Sequence, residues 1–400
     1  MAETKAKLVD NRPNGSSVGV RISRRSWIAW LRGQFGGDLA RGRSGFRGEL
    51  VQRLRRVAEE AVADGPLPID EPPDGSLVDP QAPRKSCCTA KQLEERVMKA
   101  VRIYQYGGPE VLRYEEDVSD PIVGADTVLI RSIATSVNPI DWKVRSGARQ
   151  KDFPLTLPAI LGKDVSGLVI AVGSDIRNFK PGDRVMAMAE ATYAEIVAVP
   201  GALLTHLPDG VDPVDAAAIP LVSLTGDQLV RVATRASAGE TILVSGALGS
   251  VGRAAVHSAK KLGAIVIAGV RLRQLAEAEE LGAHATLALD DDDAIARSAA
   301  VDGVADTVGG EIAAKLLRKV RSGGRFGYAS VLPHDAVQDA SVEVTRVFAR
   351  PDPSKLREFA DDVRDGTFSL PISRRMSLND VATAHELLEK GGGGKIVLNT

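Results

Sequence analysis

Ser245-Gly246-Ala247-Leu248-Gly249-Ser250-Val251-Gly252 places three glycines between an apolar run, Thr241-Ile242-Leu243-Val244, and a helix-forming stretch, 253–263. A strand, a glycine turn and a helix in that order can hold the pyrophosphate of a dinucleotide. Gly246 permits the tight turn, Gly249 removes a Cβ so that backbone can approach a phosphate, and Gly252 lets helix and strand pack closely. The helix start, Ser250 and Val251 included, offers unpaired N–H groups and partial positive charge to an anion. The same glycines would also serve an ordinary packing turn. The alternation of strands and helices around them favours the nucleotide, with Ser245, Gly246, Ala247, Gly249, Ser250, Val251 and Gly252 as its expected cradle.

The second strand, 264–270, is followed by Arg271-Leu272-Arg273. An acidic residue about 20 positions beyond the glycines would take both ribose hydroxyls and favour NAD. None stands there. Arg271 and Arg273 can instead fork onto a 2′-phosphate, which points to NADPH. Solvated surface arginines are the plain alternative.

The elements that must position these residues read as two kinds of chain. From about 216 strands are expected at 241–245, 264–270, 285–289, 304–308 and 325–329. Helices are expected at 250–262, 273–281, 292–300 and 311–320, with Gly263 and Gly282 as C-caps. Such alternation implies a parallel sheet covered on both faces. Val308, Ala329 and Ser330 then fall at its carboxyl edge, where a cofactor crosses. Between about 98 and 215 short β-rich runs broken by Gly-Gly-Pro, Asn-Pro and Pro-Gly-Asp suggest a β-barrel. Residues 1–97 are rich in Arg, Gly, Pro and Ser. They read as a disordered extension with one helical stretch at 50–61 and a flexible linker before Met98.

A formal net charge of -1 favours neither nucleic acid nor an anionic membrane. No apolar run is long enough to span a bilayer. The only cysteines, Cys87 and Cys88, are adjacent and can build neither a disulfide framework nor a zinc site. A reducing, cytoplasmic setting is therefore expected. His206, His257, His284, His334 and His385 are scattered without metal-ligand spacing and read as packing or surface residues.

Several segments occur in order: "MKAVRIYQYGGPEVL", "SVNPIDWKVRSG", "LGKDVSGLVIAVGSDIRNFKPGDRVMAM", "YAEIVAVP", "SGALGSVG" and "GKIVL". Together they resemble a medium-chain dehydrogenase/reductase, specifically the zinc-free quinone oxidoreductase branch, over residues 98–400. The resemblance implies an α/β protein. A GroES-like catalytic barrel spans 98–220, completed by 351–400, and a Rossmann NADP(H)-binding domain spans 221–350, with the active cleft between. It also implies a homodimer. Zinc-dependent relatives carry an early cysteine and then Gly-His-Glu. Here "SVNPID" and Gly162-Lys163-Asp164 stand in those places, and 98–400 holds no cysteine. A catalytic zinc, which needs three N, S or O ligands, is not expected.

The implied activity is hydride transfer from NADPH to a quinone or another α,β-unsaturated carbonyl. The resemblance puts Asn138 and Asp141 near nicotinamide and substrate. Asn138 would donate to the substrate oxygen, or merely turn the chain before Pro139, and Asp141 would position a neighbour. Thr225 would lie beside the nicotinamide, although Gly226-Asp227 follows it where relatives carry an apolar or aromatic residue. Trp142 stands where relatives often have tyrosine. Tyr193 is then a candidate acid, though it also reads as core at a strand start. The alternative is a non-catalytic NADPH-binding structural or sensor protein.

Overall fold

The structure, a computed structural model, describes residues 97–334, 336, 341–391 and 394–400. The expected helix at 50–61, the linker and the two cysteines lie outside the described residues.

Eight strands come first: β1 (Val97–Ile103), β2 (Arg113–Ser119), β3 (Thr127–Val137), β4 (Ala159–Ile160), β5 (Asp164–Val172), β6 (Arg184–Met188), β7 (Ile196–Pro200) and β8 (Leu204–His206). β3 is their spine, an 11-residue run rich in Val, Ile and Thr that suits a pleated buried surface. It pairs antiparallel with β5 and with β7. Register shifts between Leu129 and Ile130 and between Ser132 and Ala134 bend it, as bulges do. Val128, Ile130, Val165, Val169, Val185, Val197 and Val199 fill the space enclosed. Each contributes about 1.5–3 kcal/mol by leaving water.

Six strands follow: β9 (Thr241–Ser245), β10 (Ile265–Val270), β11 (Ala285–Ala288), β12 (Val301–Asp306), β13 (Val320–Tyr328) and β14 (Glu343–Arg346). Their order is β11-β10-β9-β12-β13-β14, all parallel. This is the doubly wound Rossmann order, with the topological switch between β9 and β12, where a crevice opens beyond the strand ends. β12 stops at Asp306, short of the expected 308. The Asp306 carboxylate accepts from Gly309 N–H at 3.0 Å and turns the chain there.

Two elements carry no legible period. The helix Pro220–Gln228, continued by a π-helical stretch Leu229–Thr234, is buried over most of its circumference. It therefore shows no polar stripe. β14 is only four residues, Glu-Val-Thr-Arg.

The chain then returns. The helix Pro353–Arg364 packs Leu356 and Phe359 against Met186, Leu224 and Ala254, which joins the two halves through one core. β15 (Ile372–Ser377), the helix Val381–Glu389 and β16 (Lys395–Asn399) follow. β16 lies antiparallel on β3, so residues from the C-terminus enter the barrel sheet. Among the described residues no helix is long and apolar enough to cross a membrane.

Candidate active site

The three glycines of the turn differ in what surrounds them. Gly252 is fixed by packing: a Cβ there would lie 2.1 Å from the Gly246 carbonyl oxygen and 2.7 Å from Ala247 Cα. Gly246 adopts φ +63°, and its Cβ would meet Thr307 Oγ1 at 2.5 Å. At Gly249 an added Cβ would meet only the Gly246 carbonyl, at 3.2 Å. Gly249 is also the N-cap of the helix Ser250–Lys261 and supplies no side-chain cap. The first-turn N–H groups are therefore available to an anion.

Ser245 and Ala247 are wholly buried and build the turn from beneath. The Ser245 hydroxyl donates to Asp306 Oδ1 at 2.6 Å and accepts from Thr307 N–H at 2.9 Å. Burial pushes the Asp306 carboxyl up, against the hydrogen bonds from Ser245, Gly309 and Val308. Ser250 and Val251 are half-buried at the rim. Val308 is exposed at the end of β12, and Ala329 and Ser330, half-buried, follow β13.

Arg271 and Arg273 follow β10, both exposed. Within the described residues no ion pair or hydrogen bond engages either guanidinium. Thr225 lies on the helix Pro220–Gln228 and donates its hydroxyl to Leu221 C=O at 2.6 Å. The residue after it has a steric cause. A Cβ on Gly226 would lie 2.5 Å from Val251 O and 2.6 Å from Ala255 N, so glycine lets this helix cross the one behind the glycine turn.

The barrel side holds a buried polar cluster. Asn138 caps the helix Pro139–Arg145, with Pro139 at its first position. Asp141 Oδ2 accepts the Asn138 backbone N–H at 2.8 Å and the Tyr193 hydroxyl at 3.0 Å. The Asn138 side chain is held at both ends: Nδ2 donates to Asp164 Oδ2 at 2.7 Å, and Oδ1 accepts from Lys395 Nζ at 2.8 Å. Asp164 also accepts from Ser136 Oγ at 2.5 Å and from Leu221 N–H at 2.7 Å. Lys395 Nζ lies 3.4 Å from its carboxylate. Burial lowers the Lys395 ammonium from its ordinary value, while the charges of Asp164 and Asp141 oppose the shift.

Tyr193 is fully buried, with His385 Nε2 3.2 Å from its hydroxyl. His385 Nδ1 lies 3.1 Å from Arg145 Nη1, and Arg145 also pairs with Glu389 and donates to Gly107 C=O. Burial pushes the Asp141 carboxyl up to about 7, Asp164 adding to the shift and the Asn138, Tyr193 and Lys163 contributions opposing it. Burial, and then the Arg145 charge, lower His385 to about 3. Burial and the neighbouring Asp141 raise Tyr193 well above the ordinary phenol value.

Lys395, Arg145, His385 and Asp164 escaped the sequence reading. One signal was present. Val381, Ala384, His385 and Leu388 share one helical face, so His385 lies on an otherwise apolar stripe.

Asp141 borders a cavity of about 370 Å³ walled by Val144, Phe153, Leu155 and Leu161, with Lys163 and Glu190 at its edge. Lys163 pairs with Glu190 and lies over the Phe153 ring, 5.1 Å from its centroid. Phe153 meets Phe348 edge-on at 5.7 Å, and Asp152 lies 3.7 Å from Arg346. The cavity wall thus touches the parallel-sheet half beside β14. Among the described residues no three His, Cys, Asp or Glu side chains gather in a way that could hold a metal ion. His257 pairs with Asp362 at 2.8 Å and packs on Phe359 and Phe368.

The family described as alcohol dehydrogenase GroES-like domain matches residues 124–209, and the one described as zinc-binding dehydrogenase matches 281–398. A quinone oxidoreductase of Lama guanicoe is 31% identical over 327 residues, covering 76% of this chain and 98% of its own. A chloroplastic NADPH-dependent alkenal/one oxidoreductase of Arabidopsis thaliana is 38% identical over 184 residues, covering 43% of this chain and 47% of its own. The solved quinone oxidoreductase of Coxiella burnetii superimposes with a TM-score of 0.69 at 30% identity, covering 76% of this chain and all of its own. A Rossmann sheet joined to a GroES-like barrel is the architecture of the medium-chain dehydrogenase/reductases. The chain belongs to that superfamily, in its quinone oxidoreductase branch.

Proposed function

We propose that this oxidoreductase is an NADPH-dependent, zinc-free reductase of quinones or other α,β-unsaturated carbonyls. One observation carries the reading. A glycine turn exposed at Gly249 stands in the same chain as a cavity that brings the Asp141 carboxyl and the Lys163 ammonium together, with Asp152 and Glu190 also in its wall and, among the described residues, no cluster that could hold a metal ion. Bound NADPH supplies the hydride. The helix start after Gly249 holds the pyrophosphate, Arg271 and Arg273 hold the 2′-phosphate, and Thr225, Val308, Ala329 and Ser330 flank ribose and nicotinamide.

In the cavity the Lys163 ammonium faces the oxygen on which negative charge develops. Asp141, its carboxyl pushed up to about 7 by burial, delivers the proton that completes the two-electron reduction to hydroquinone or saturated carbonyl. This revises the expected role of Asp141 from positioning a neighbour to carrying the proton. Asn138 and Tyr193 act through Asp164 and Asp141, because their polar atoms already engage those groups. The domain limits 98–220 with 351–400, and 221–350, a homodimer and a cytoplasmic setting belong to the same reading. The pairing of β16 with β3 supports the first.

The test mixes the full chain with NADPH or NADH and a panel of quinones and enones, and follows loss of the reduced-nicotinamide absorbance. Oxidation with NADPH is expected, and no oxidation above background across the panel would end the proposal. A second reading, NADPH binding without turnover, draws on the same internal engagement of Asn138 and Tyr193. Saturable NADPH binding in calorimetry with a silent panel would favour it.

A further inference from the structure

We propose that His385 is a positioning residue for Asp141, pinned by Arg145 as the Nε2–H tautomer so that the Tyr193 hydroxyl can only donate to Asp141 Oδ2. The argument runs along one chain of hydrogen bonds. A guanidinium has donors and no acceptor. Arg145 Nη1, 3.1 Å from His385 Nδ1, therefore makes that nitrogen the acceptor. The neutral ring carries its hydrogen on Nε2, which faces the Tyr193 oxygen at 3.2 Å. With that oxygen already accepting, the phenol hydrogen turns to Asp141 Oδ2 at 3.0 Å. The Asn138 backbone N–H reaches the same oxygen. Two donors on Oδ2 leave Oδ1 as the atom that takes up a proton.

Arg145, Tyr193 and His385 are all under 2% exposed, and the chain runs from Asp141 at the cavity wall to Glu389, whose side chain is 29% exposed. Because Arg145 closes the far end, the chain cannot conduct protons. It orients donors and holds the ring neutral. The other charged groups facing Asp141 are Asp164, Lys163 and Lys395; none of them touches His385.

The inference rests on the proposed function only in giving the Asp141 proton a use. Its first test needs neither cofactor nor substrate. The carboxylic-acid stretch of Asp141, assigned by its loss in Asp141→Asn, is titrated by infrared difference spectroscopy on the full chain. Tyr193→Phe removes a donor to the ionised form, so the midpoint moves up by about one pH unit. His385→Leu frees the Tyr193 hydroxyl and moves the midpoint the same way by less. His385→Gln, which returns an N–H donor at similar reach, restores it. In turnover, the alkaline limb moves with the midpoint, while KM for NADPH stays put. A folded Tyr193→Phe protein that titrates at the wild-type midpoint would overturn the inference. So would a His385→Leu protein indistinguishable from wild type. If His385→Leu does not fold, His385→Phe, which keeps a ring but lacks the N–H donor, takes its place. A silent substrate panel with the infrared shifts intact would sink the function and leave the chain standing.

Discussion

The glycine turn after β9 and the polar cluster of the barrel handle charge by opposite means. The turn works by leaving side chains out: at exposed Gly249 an added Cβ would meet only the Gly246 carbonyl oxygen, at 3.2 Å, and the backbone N–H groups of the helix start have no side-chain cap. The cluster works by packing side chains in. Asp164, Asn138, Lys395, Asp141, Tyr193, His385 and Arg145 are all buried, and each satisfies another. In the proposed function the turn is a receptor whose partial charge is neutralised only when an anion arrives. The cluster is neutralised in advance, so its strength lies in holding one arrangement of donors and protons.

Substitutions should separate the two. The largest expected effect is in the cluster. Lys395→Met leaves the Asp164 carboxylate buried without its cation, which costs about 3–5 kcal/mol. Denaturant unfolding should show a midpoint far below wild type, whereas a change under about 1 kcal/mol would mean that Ser136, Asn138 and Leu221 suffice. In the turn the effect depends on which glycine is changed. Gly252→Val drives a side chain into the Gly246 carbonyl and should destabilise the fold by about 1–3 kcal/mol or more. Gly249→Ala should leave the melting temperature nearly unchanged while weakening NADPH binding. Equal losses of stability from both would contradict the division of labour among the three glycines.

Next in size is the arginine pair. Arg271→Ala with Arg273→Ala removes two exposed cations, so stability should hold. NADPH affinity should fall by about 10–100-fold, with NADH affinity unmoved. Calorimetry with both coenzymes reads this directly, and a parallel loss for NADH would remove the 2′-phosphate from the account.

The same contrast explains what could be read before the structure. The turn is contiguous: its chemistry lies in the spacing of Gly246, Gly249 and Gly252, and its flanking period fixes strand and helix. The doubly wound sheet followed from the same local signals. The cluster is assembled across distance. Arg145 and His385 are 240 positions apart, and Asn138 and Lys395 are 257 apart. No local period records such a meeting. Asn138, Asp141 and Tyr193 were reached through resemblance alone. The helix Pro220–Gln228 hid because it is buried on most sides, and β14 because four residues hold too little pattern.

The smallest effect is a pH dependence in which two members of the cluster mask each other. The Asp141 carboxyl rises on folding from 3.8 to about 7. Between those values the native state holds a proton that the unfolded chain has lost, so this group makes stability fall as pH rises. His385 drops from 6.5 to about 3. Between those values the unfolded chain holds the extra proton, so this group makes stability rise with pH. From about pH 4 to 6.5 the two slopes oppose, each at most about 1.4 kcal/mol per pH unit. The wild-type curve should be nearly flat there as far as these groups decide it. His385→Gln removes the rising contribution and should expose a decline toward pH 7, while Asp141→Asn should expose a rise. Chemical denaturation at several pH values checks both signs. Parallel curves for the two variants would mean that burial does not set these protons, and the cluster would then differ from the turn in packing alone.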